Sequence, residues 1–164
     1  MKRILVIGLQ GSGKSTFANR LGNMLNQEVT HLDKLYYKPG WKPVASDAWR
    51  KIVNDLISRK EWIIDGNYQS TLDTRLIPAD TVIFFDFNKF LCLCRMFSRS
   101  MKKDQPFDKA EGNINKLSWD LIKKMILYPR KKVLRKLKGY KDTKKIIVFK
   151  NDKEAENFLR LLKL

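Results

Sequence analysis

The feature that most constrains this chain is a glycine-rich octapeptide close to its start. Residues 8–15 read Gly-Leu-Gln-Gly-Ser-Gly-Lys-Ser, which fits the pattern G-x-x-x-x-G-K-[ST] without a mismatch. The short apolar run of residues 4–7 precedes it, and an amphipathic pattern typical of a helix follows it. Buried strand, glycine loop and helix is the order in which phosphate-binding loops occur. The start of the chain therefore predicts a site for a nucleoside triphosphate.

The residue types in this loop suit the chemistry of holding phosphate. Glycines let successive backbone N–H groups point into one anion-sized hollow, where a side chain would obstruct the turn or the phosphate. The following helix adds the positive end of its dipole. We expect Lys14 to reach the β- and γ-phosphates and the hydroxyl of Ser15 to ligate Mg²⁺. The predicted nucleotide-binding residues are Gly8, Gly11, Ser12, Gly13, Lys14, Ser15 and Thr16.

Composition and charge narrow the class of protein. The 164 residues are 43% apolar and predict one globular domain, residues 1–164, and no apolar stretch is long enough for a membrane span or a signal peptide. Cys92 and Cys94 are expected to be reduced packing residues of a cytoplasmic protein. The net charge of +17 implies an anionic partner, and the basic residues concentrate in 123–138. A phosphorylated small molecule and a nucleic acid both fit, and the oligomeric state is left open.

Five apolar segments alternate with helical patterns along the chain. The predicted strands are residues 4–7, 28–32, 61–65, 81–86 and 145–149. Alternation of this kind predicts an α/β fold, a three-layer sandwich with a five-stranded parallel sheet. Ligands of such folds bind beyond the carboxyl ends of the strands, where three predicted strands are followed by Asp33, Asp65 and Asp86.

Two excursions are expected to leave this sheet. Residues 32–60 form an acceptor-side excursion, a loop at 34–44 followed by a helix. Residues 95–140 form a basic helical lid region, in which 103–112 are expected to be mobile and Pro129 must kink or split a long helix. In the helix after the fourth strand, the predicted packed face consists of Phe90, Cys94, Phe97 and Met101.

Several of these segments resemble a known group of kinases. The glycine loop, the Asp65-Gly66 pair and the arginines after the fourth strand are similar to those of P-loop kinases of the adenylate-kinase and shikimate-kinase type, over essentially the whole chain. A narrower resemblance, to bacterial DNA topology modulation proteins, lies in His31-Leu32-Asp33, Lys38-Pro39-Gly40-Trp41, residues 62–68 and Ala110-Glu111-Gly112. The resemblance implies an adenylate-kinase-like fold with a helical lid, and ATP and Mg²⁺ as cofactors.

The resemblance also implies roles for single residues. Asp65 would hold a Mg²⁺-bound water, the alternative being an aspartate satisfied in a turn before glycine. Asp86 competes for that role, but the resemblance makes it a strand-end or helix-cap residue. Arg95 and Arg99 resemble lid arginines that clamp the transferring phosphoryl group, because guanidinium forks stabilise the charge on its oxygens.

The acceptor side departs from the family pattern. Arg75, reached through Asn67, could hold an acceptor phosphate, but Asn67-Tyr68-Gln69 stands where the family's Asp-Gly-x-Pro-Arg places its arginine, which weakens the case for a nucleoside monophosphate. Asp33 could orient an acceptor hydroxyl and accept its proton, whereas a phosphate acceptor needs no base. His31 fits a structural residue better than a catalytic one. The predicted acceptor-binding residues are Asp33, Tyr37, Trp41, Asn67 and Arg75, the aromatic ones either stacking on a ring or packing the loop.

Together these patterns favour an ATP- and Mg²⁺-dependent phosphotransferase with a small acceptor, a nucleotide or a nucleoside. The catalytic residues are predicted to be Lys14, Asp33, Arg95 and Arg99, and the metal-binding residues Ser15 and Asp65. The alternative is a nucleotide-dependent DNA- or RNA-binding module that uses residues 123–138.

Overall fold

A parallel sheet with helices on both faces forms the centre of the molecule. The computed structural model describes residues 1–101, 108 and 119–162. Its strands are β1 (Arg3–Gly8), β2 (Val29–His31), β3 (Tyr37–Lys38), β4 (Lys42–Pro43), β5 (Trp62–Asp65), β6 (Thr81–Phe85) and β7 (Lys145–Phe149). Its helices are α1 (Lys14–Leu25), α2 (Leu32–Tyr36), α3 (Ser46–Ile57), α4 (Leu72–Leu76), α5 (Lys89–Ser100), α6 (Trp119–Ile126), α7 (Arg130–Lys138) and α8 (Asp152–Leu161).

The strand order places the glycine loop at the middle of the sheet. Five parallel strands follow the order β2-β5-β1-β6-β7, and β3 and β4 form a separate antiparallel pair. The chain runs from β1 towards one edge, returns, and then continues on the other side of β1, which makes the carboxyl end of β1 the topological switch point. Asp65 is in register with Val6, and Phe85 is in register with Gly8. The strand ends that carry acidic residues therefore meet the glycine loop at one edge.

Each face of the sheet has its own core. The strand interiors are continuous apolar runs because both faces are covered, so alternate residues of β1 enter opposite cores. Ile4 and Val6 pack on the face covered by α1 and α8, where the ring of Phe17 lies 5.2 Å from that of Phe85. The opposite core joins α3, α4 and α7 to the sheet through Trp49, Val53, Leu56, Leu76, Val133 and Leu137.

The predicted strands are confirmed to within one or two residues, and the break at Pro129 is confirmed because α6 ends before it and α7 begins after it. The predicted loop 34–44 instead contains the end of α2 and the β3–β4 pair. Residues 103–107 and 109–112 of the predicted mobile segment, and the predicted helix start near 113, lie outside the described residues. In the described part of the chain, every helix is too short or too polar to cross a membrane.

The predicted packed face of α5 is wrong. Phe90 is 74% exposed and Phe97 is 57% exposed, whereas Cys92 and Met96 are buried. The reason is the glycine loop, which approaches the backbone of α5 so closely that a Cβ on Gly11 would lie 2.4 Å from the carbonyl oxygen of Cys92. Cys92 and Met96 lie on the side of α5 that meets this loop, and both are part of the core. Cys94, also expected to pack, is exposed.

Candidate active site

The glycine loop leaves an open hollow at the start of α1. Gly11 and Gly13 have φ values of +78° and +84°, a region that side-chain-bearing residues rarely adopt. Gly11 is packed tightly against α5, but a Cβ on Gly13 would meet no described atom within 4 Å. Gly13 is the residue directly before α1, whose first N–H groups have no partner within the helix. This hollow has the form and polarity of a phosphate site.

A buried carboxylate stands beside the loop. The side chain of Asp65, at the end of β5, is 5% exposed, and its Oδ2 accepts a hydrogen bond of 2.9 Å from Nδ1 of His31. Among the described residues its Oδ1 has no hydrogen-bond partner. Burial acts to raise the pKa of Asp65, but the charge of Lys14 and the groups of His31 and Ser15 outweigh it and hold that pKa below its usual value.

These groups fit a hydrated magnesium ion. Mg²⁺ prefers oxygen ligands and usually binds through one or two side chains together with waters and substrate phosphates. The open Oδ1 of Asp65 and the hydroxyl of Ser15, both next to Lys14, supply that donor set. The residues predicted to hold the metal are therefore close together, and the ionised state of Asp65 suits a cation.

His31 holds Asp65 in position. Its ring is buried between Asp65 and Asn19, with Nε2 lying 2.8 Å from Oδ1 of Asn19. Nδ1 must donate to Asp65, because an ionised carboxylate can only accept. If the ring is neutral, Nε2 carries no hydrogen and must accept from the NH₂ group of Asn19. If the ring is protonated, Nε2 donates to Oδ1 of Asn19, which is the orientation assigned to the amide. The structural role that the sequence favours for His31 thus takes the form of a fixed support for the candidate metal ligand.

A cavity of about 360 Å³ opens on the same side of the loop, and we name it the acceptor pocket. Lys14 and Ser15 of the glycine loop line it together with Asp65 and Asp33. The other described lining residues are Leu9, Gln10, Tyr36, Tyr37, Trp41, Gly66, Asn67, Tyr68, Gln69, Asp108, Leu121, Lys124, Met125, Tyr128 and Pro129. The structure therefore brings four of the five predicted acceptor residues to one cavity, all except Arg75.

Aromatic rings form one wall of the acceptor pocket. The rings of Tyr37 and Trp41 lie 5.2 Å apart, whereas Tyr36 packs 5.0 Å from Trp49 of α3. Packing of the loop on the next helix is confirmed for Tyr36, and all three rings line the pocket. Stacking of Tyr37 or Trp41 on a ligand ring stays a prediction. Trp41 has a φ of +61°, a strained conformation for a bulky residue.

Asp33 and Tyr68 form a hydrogen-bonded pair in this wall. The hydroxyl of Tyr68 donates to Oδ1 of Asp33 over 2.7 Å. Burial and the negative charge of Asp33 raise the pKa of Tyr68, and the same two causes raise the pKa of Tyr37. Tyr68 is not among the predicted site residues, although it belongs to the segment 62–68 that resembles the topology modulation proteins. Its φ of +25° is what points to it, and that is visible only in the structure.

Arg75 is corrected from an acceptor ligand to a residue that shapes the turn at residues 66–68, which we name the acceptor loop. It has no exposed surface and does not line the acceptor pocket. Its guanidinium donates to four backbone carbonyls, those of Gly66 (2.8 Å), Asn67 (2.6 Å), Tyr68 (2.9 Å) and Thr71 (3.2 Å). With its donors directed at these oxygens, Arg75 does not reach a phosphate in the pocket.

Asn67 lines the pocket, and its side-chain amide also forms two hydrogen bonds with the backbone of Gly8. Its Oδ1 accepts from the N–H of Gly8 over 3.0 Å, and its Nδ2 donates to the carbonyl of Gly8 over 2.6 Å. These bonds continue the pairing of β5 with β1 past the strand ends. Asn67 therefore fastens the acceptor loop to the phosphate loop while also lining the pocket, and its role as an acceptor ligand stays a prediction.

The clamp predicted from Arg95 and Arg99 stays a prediction, and the structure places both residues beside Gly13 rather than in the acceptor pocket. Both arginines line a second cavity of about 430 Å³ on the other side of the glycine loop, together with Gly13 and Thr16. Arg95 binds the carboxylate of Asp152 through two contacts of 3.1 and 2.6 Å. Arg99 lies 3.6 Å from Asp108. Neither lines the acceptor pocket, so neither lies between the phosphate loop and the acceptor side chains.

Arg130 forms an ion pair at the edge of the sheet that the sequence does not predict. It lies at the start of α7 and binds the carboxylate of Asp86 through two nitrogens, Nη2 at 2.6 Å from Oδ2. Asp86 follows β6 and has a side chain only 5% exposed. The predicted cap role belongs to Asn88, whose side chain accepts from Phe90 N–H. An arginine directly after a helix-breaking proline is the only sequence signal that could have indicated this tie.

Comparisons with known proteins establish the fold. No protein-family model matches the chain, and no curated protein matches its sequence. A gluconokinase from Sinorhizobium meliloti 1021 superposes with a TM-score of 0.58 at 18% identity, covering 99% of this chain and 94% of that one. A shikimate kinase from Bacteroides thetaiotaomicron gives a TM-score of 0.46 at 14% identity, covering 99% of both chains. The narrower resemblance to DNA topology modulation proteins stays a prediction. The chain has the three-layer α/β fold of the P-loop kinases, with its glycine loop at the switch point of the sheet.

Proposed function

We propose that the protein is an ATP- and Mg²⁺-dependent phosphotransferase that moves the γ-phosphoryl group of ATP to a small acceptor. The observation that supports it is the make-up of the acceptor pocket. Lys14 and Ser15 of the phosphate loop line the same cavity as Asp33 and the ring wall. A triphosphate held by the loop would thus direct its terminal phosphate towards the acceptor.

Catalysis in such a site consists of positioning and charge stabilisation. Lys14 and the N–H groups at the start of α1 would hold the phosphates, with Ser15 and Asp65 holding the metal, which neutralises charge on the β- and γ-phosphates. His31 keeps Asp65 in place. Residues of α6 and Tyr128 line the pocket and would limit the access of water to it. We infer that the region 95–140, which contains α6 and α7, acts as the lid.

A phosphoryl-transfer screen with Lys14→Ala as the matched control tests this function. The wild-type protein should release ADP and form a phosphorylated product with at least one small acceptor, and Lys14→Ala should lower kcat/KM by about 100- to 1,000-fold. Calorimetry with ATP and Mg²⁺ measures the nucleotide site separately. A wild-type protein that does not bind ATP, or a Lys14→Ala variant as active as the wild type, would refute the proposed function.

A second function is supported by the exposed face of α7. Arg130 and Lys136 of this helix are paired with Asp86 and Asp73. The remaining cations are exposed and form no ion pair among the described residues: Lys131, Lys132, Arg135 and Lys138. Such a face could contact the phosphates of DNA or RNA. Duplex binding that weakens steeply with added salt would support this function, and a binding constant insensitive to salt would exclude it.

A further inference from the structure

We propose that the phosphoryl acceptor is an unphosphorylated, ring-bearing alcohol whose hydroxyl is presented to Asp33. This proposal rests on the proposed phosphotransferase function and names the substrate class of the same site. It follows from the charge of the acceptor pocket, the burial of Arg75, and the pairing of Asp33 with Tyr68.

The described lining of the pocket holds few cations for a second phosphate. Among its described lining residues the cationic side chains are Lys14 and Lys124, against the carboxylates of Asp33 and Asp65 and that of Asp108, which is paired with Arg99. Lys14 belongs to the nucleotide site. Proteins that bind phosphate esters surround them with guanidinium or ammonium donors. A phosphorylated acceptor would therefore place its dianion beside Asp33 with Lys124 as the remaining cation in the described lining.

Arg75, the residue predicted to bind an acceptor phosphate, binds backbone carbonyls instead. The four carbonyls bound by Arg75 belong to the turn that follows β5 and to Thr71. One of them is the carbonyl of Tyr68, whose φ of +25° is strained for a residue with a side chain. Arg75 thus holds the turn that directs the Tyr68 hydroxyl to Asp33. In this way the guanidinium acts as a positioning group below the pocket.

The polar end of the pocket suits a hydroxyl. The carboxylate of Asp33 accepts from Tyr68 through Oδ1, and a carboxylate has lone pairs enough to accept further hydrogen bonds. The negative charge of Asp33 contributes to the raised pKa values of both Tyr37 and Tyr68. A neutral acceptor hydroxyl donates a hydrogen bond there.

The aromatic wall suits a ring. Tyr37 and Trp41 line the pocket from the β3–β4 pair, and Trp41 is held there in a strained left-handed conformation. Flat apolar rings with polar edges pack well on the faces of bases, sugars and cyclitols. The acceptor would thus lie with its ring on these two side chains and its hydroxyl between Asp33 and the phosphate loop.

The chemical step balances without a further reactant. The acceptor oxygen forms a bond to the γ-phosphorus, and the bond from that phosphorus to the β,γ-bridging oxygen breaks. The electron pair of the broken bond leaves with ADP, and the hydroxyl proton passes to the carboxylate of Asp33 and then to solvent.

Matched pairs of acceptors test the proposal. The four ribonucleosides and glucose are each compared with their own phosphate, the nucleoside 5′-monophosphates and glucose 6-phosphate, with ADP release and product mass as readouts. We expect the unphosphorylated member of an active pair to have a kcat/KM at least about tenfold higher. A preference for the phosphorylated member would overturn the proposal. The proposal would also be overturned if calorimetry, in the presence of an ATP analogue and Mg²⁺, showed that the protein binds none of the five unphosphorylated compounds. Failure of ATP itself to bind would instead refute the phosphotransferase function.

Two variants probe the polar end directly. Asp33→Asn should lower kcat by about 100-fold or more while leaving the Kd of ATP unchanged, and Asp55→Asn, an exposed change on α3, serves as its matched control. Tyr68→Phe keeps the ring and removes the hydroxyl, so kcat should fall by about tenfold with little change in KM. An Asp33→Asn variant with wild-type kcat would overturn the assignment.

Discussion

Gly11 and Gly13 share a left-handed backbone conformation but have different surroundings, so alanine at each should have different effects. Either substitution places a Cβ in a region that costs about 1–2 kcal/mol for an L-residue. At Gly11 the new Cβ would lie 2.4 Å from the carbonyl oxygen of Cys92, and backbone must move to admit it. At Gly13 no described atom lies within 4 Å of the new Cβ.

The expected magnitudes follow from that difference. Overpacking of a close contact costs about 1–3 kcal/mol, so Gly11→Ala should destabilise the protein by about 2–5 kcal/mol when the conformational cost is added. Gly13→Ala should cost only the conformational term of about 1–2 kcal/mol. Its Cβ, however, enters the hollow where we expect the phosphates, so the affinity for ATP should fall at least about tenfold.

Urea unfolding followed by tryptophan fluorescence measures the stabilities, and calorimetry with ATP and Mg²⁺ measures binding by the folded variants. The slope of the unfolding free energy with urea should be the same for all three proteins, so that the midpoints report stability alone. A Gly13→Ala variant that binds ATP like the wild type would refute the assignment of the hollow to phosphate. Equal destabilisation by the two substitutions would refute the steric account of Gly11.

Three further predictions concern charged groups at the edge of the sheet. His31→Ala removes the donor that fixes Asp65, and the Mg²⁺ concentration that half-saturates ATP binding should rise by about 10- to 100-fold. The pKa of Asp65 is lowered in the folded protein, so its contribution to stability is present above its unfolded pKa of about 4 and is lost as the pH falls through the lower folded value. Asp65→Asn should therefore flatten the acid limb of the unfolding free energy below about pH 4. Arg130→Ala leaves the buried carboxylate of Asp86 without its partner and should destabilise the protein by about 1–2 kcal/mol in urea, since the arginine itself is half-exposed.

Each of these has a result that contradicts it. Unchanged Mg²⁺ dependence in His31→Ala would mean that Asp65 needs no support or is no metal ligand. An acid limb as steep in Asp65→Asn as in the wild type would show that other groups control acid unfolding. An Arg130→Ala protein with wild-type stability and unaltered hydrogen exchange in α7 would show that the pair with Asp86 contributes nothing to docking this helix.

The parts of the fold that local sequence determines were predictable. Strands buried on both faces appear as uninterrupted apolar runs, and the glycine loop is recognisable from its spacing alone. The acids at strand ends then follow from parallel topology, which is why Asp33 and Asp65 were correctly expected at one edge with the loop. The fold itself is supported by the gluconokinase superposition.

The errors arose where backbone contacts decide the outcome. An arginine in a sequence indicates a surface or a ligand, and nothing in the residue pattern shows that Arg75 is enclosed by four carbonyls. The orientation of α5 depends on the close approach of Gly11 to the carbonyl of Cys92, which side-chain periodicity does not encode. The tie between Arg130 and Asp86 joins residues 44 positions apart and cannot be read from local spacing.

The enclosure of Arg75 also limits how the specificity of this scaffold could change. Turning its guanidinium into the pocket would withdraw a donor from each of four carbonyls and would release the strained turn at Tyr68. Retargeting towards phosphate esters would therefore require a newly introduced positive charge, for example at the lining position Gln69, rather than a rotation of the arginine already present. Acceptance of phosphorylated substrates would then come from one substitution in the lining, and the turn held by Arg75 would stay unchanged.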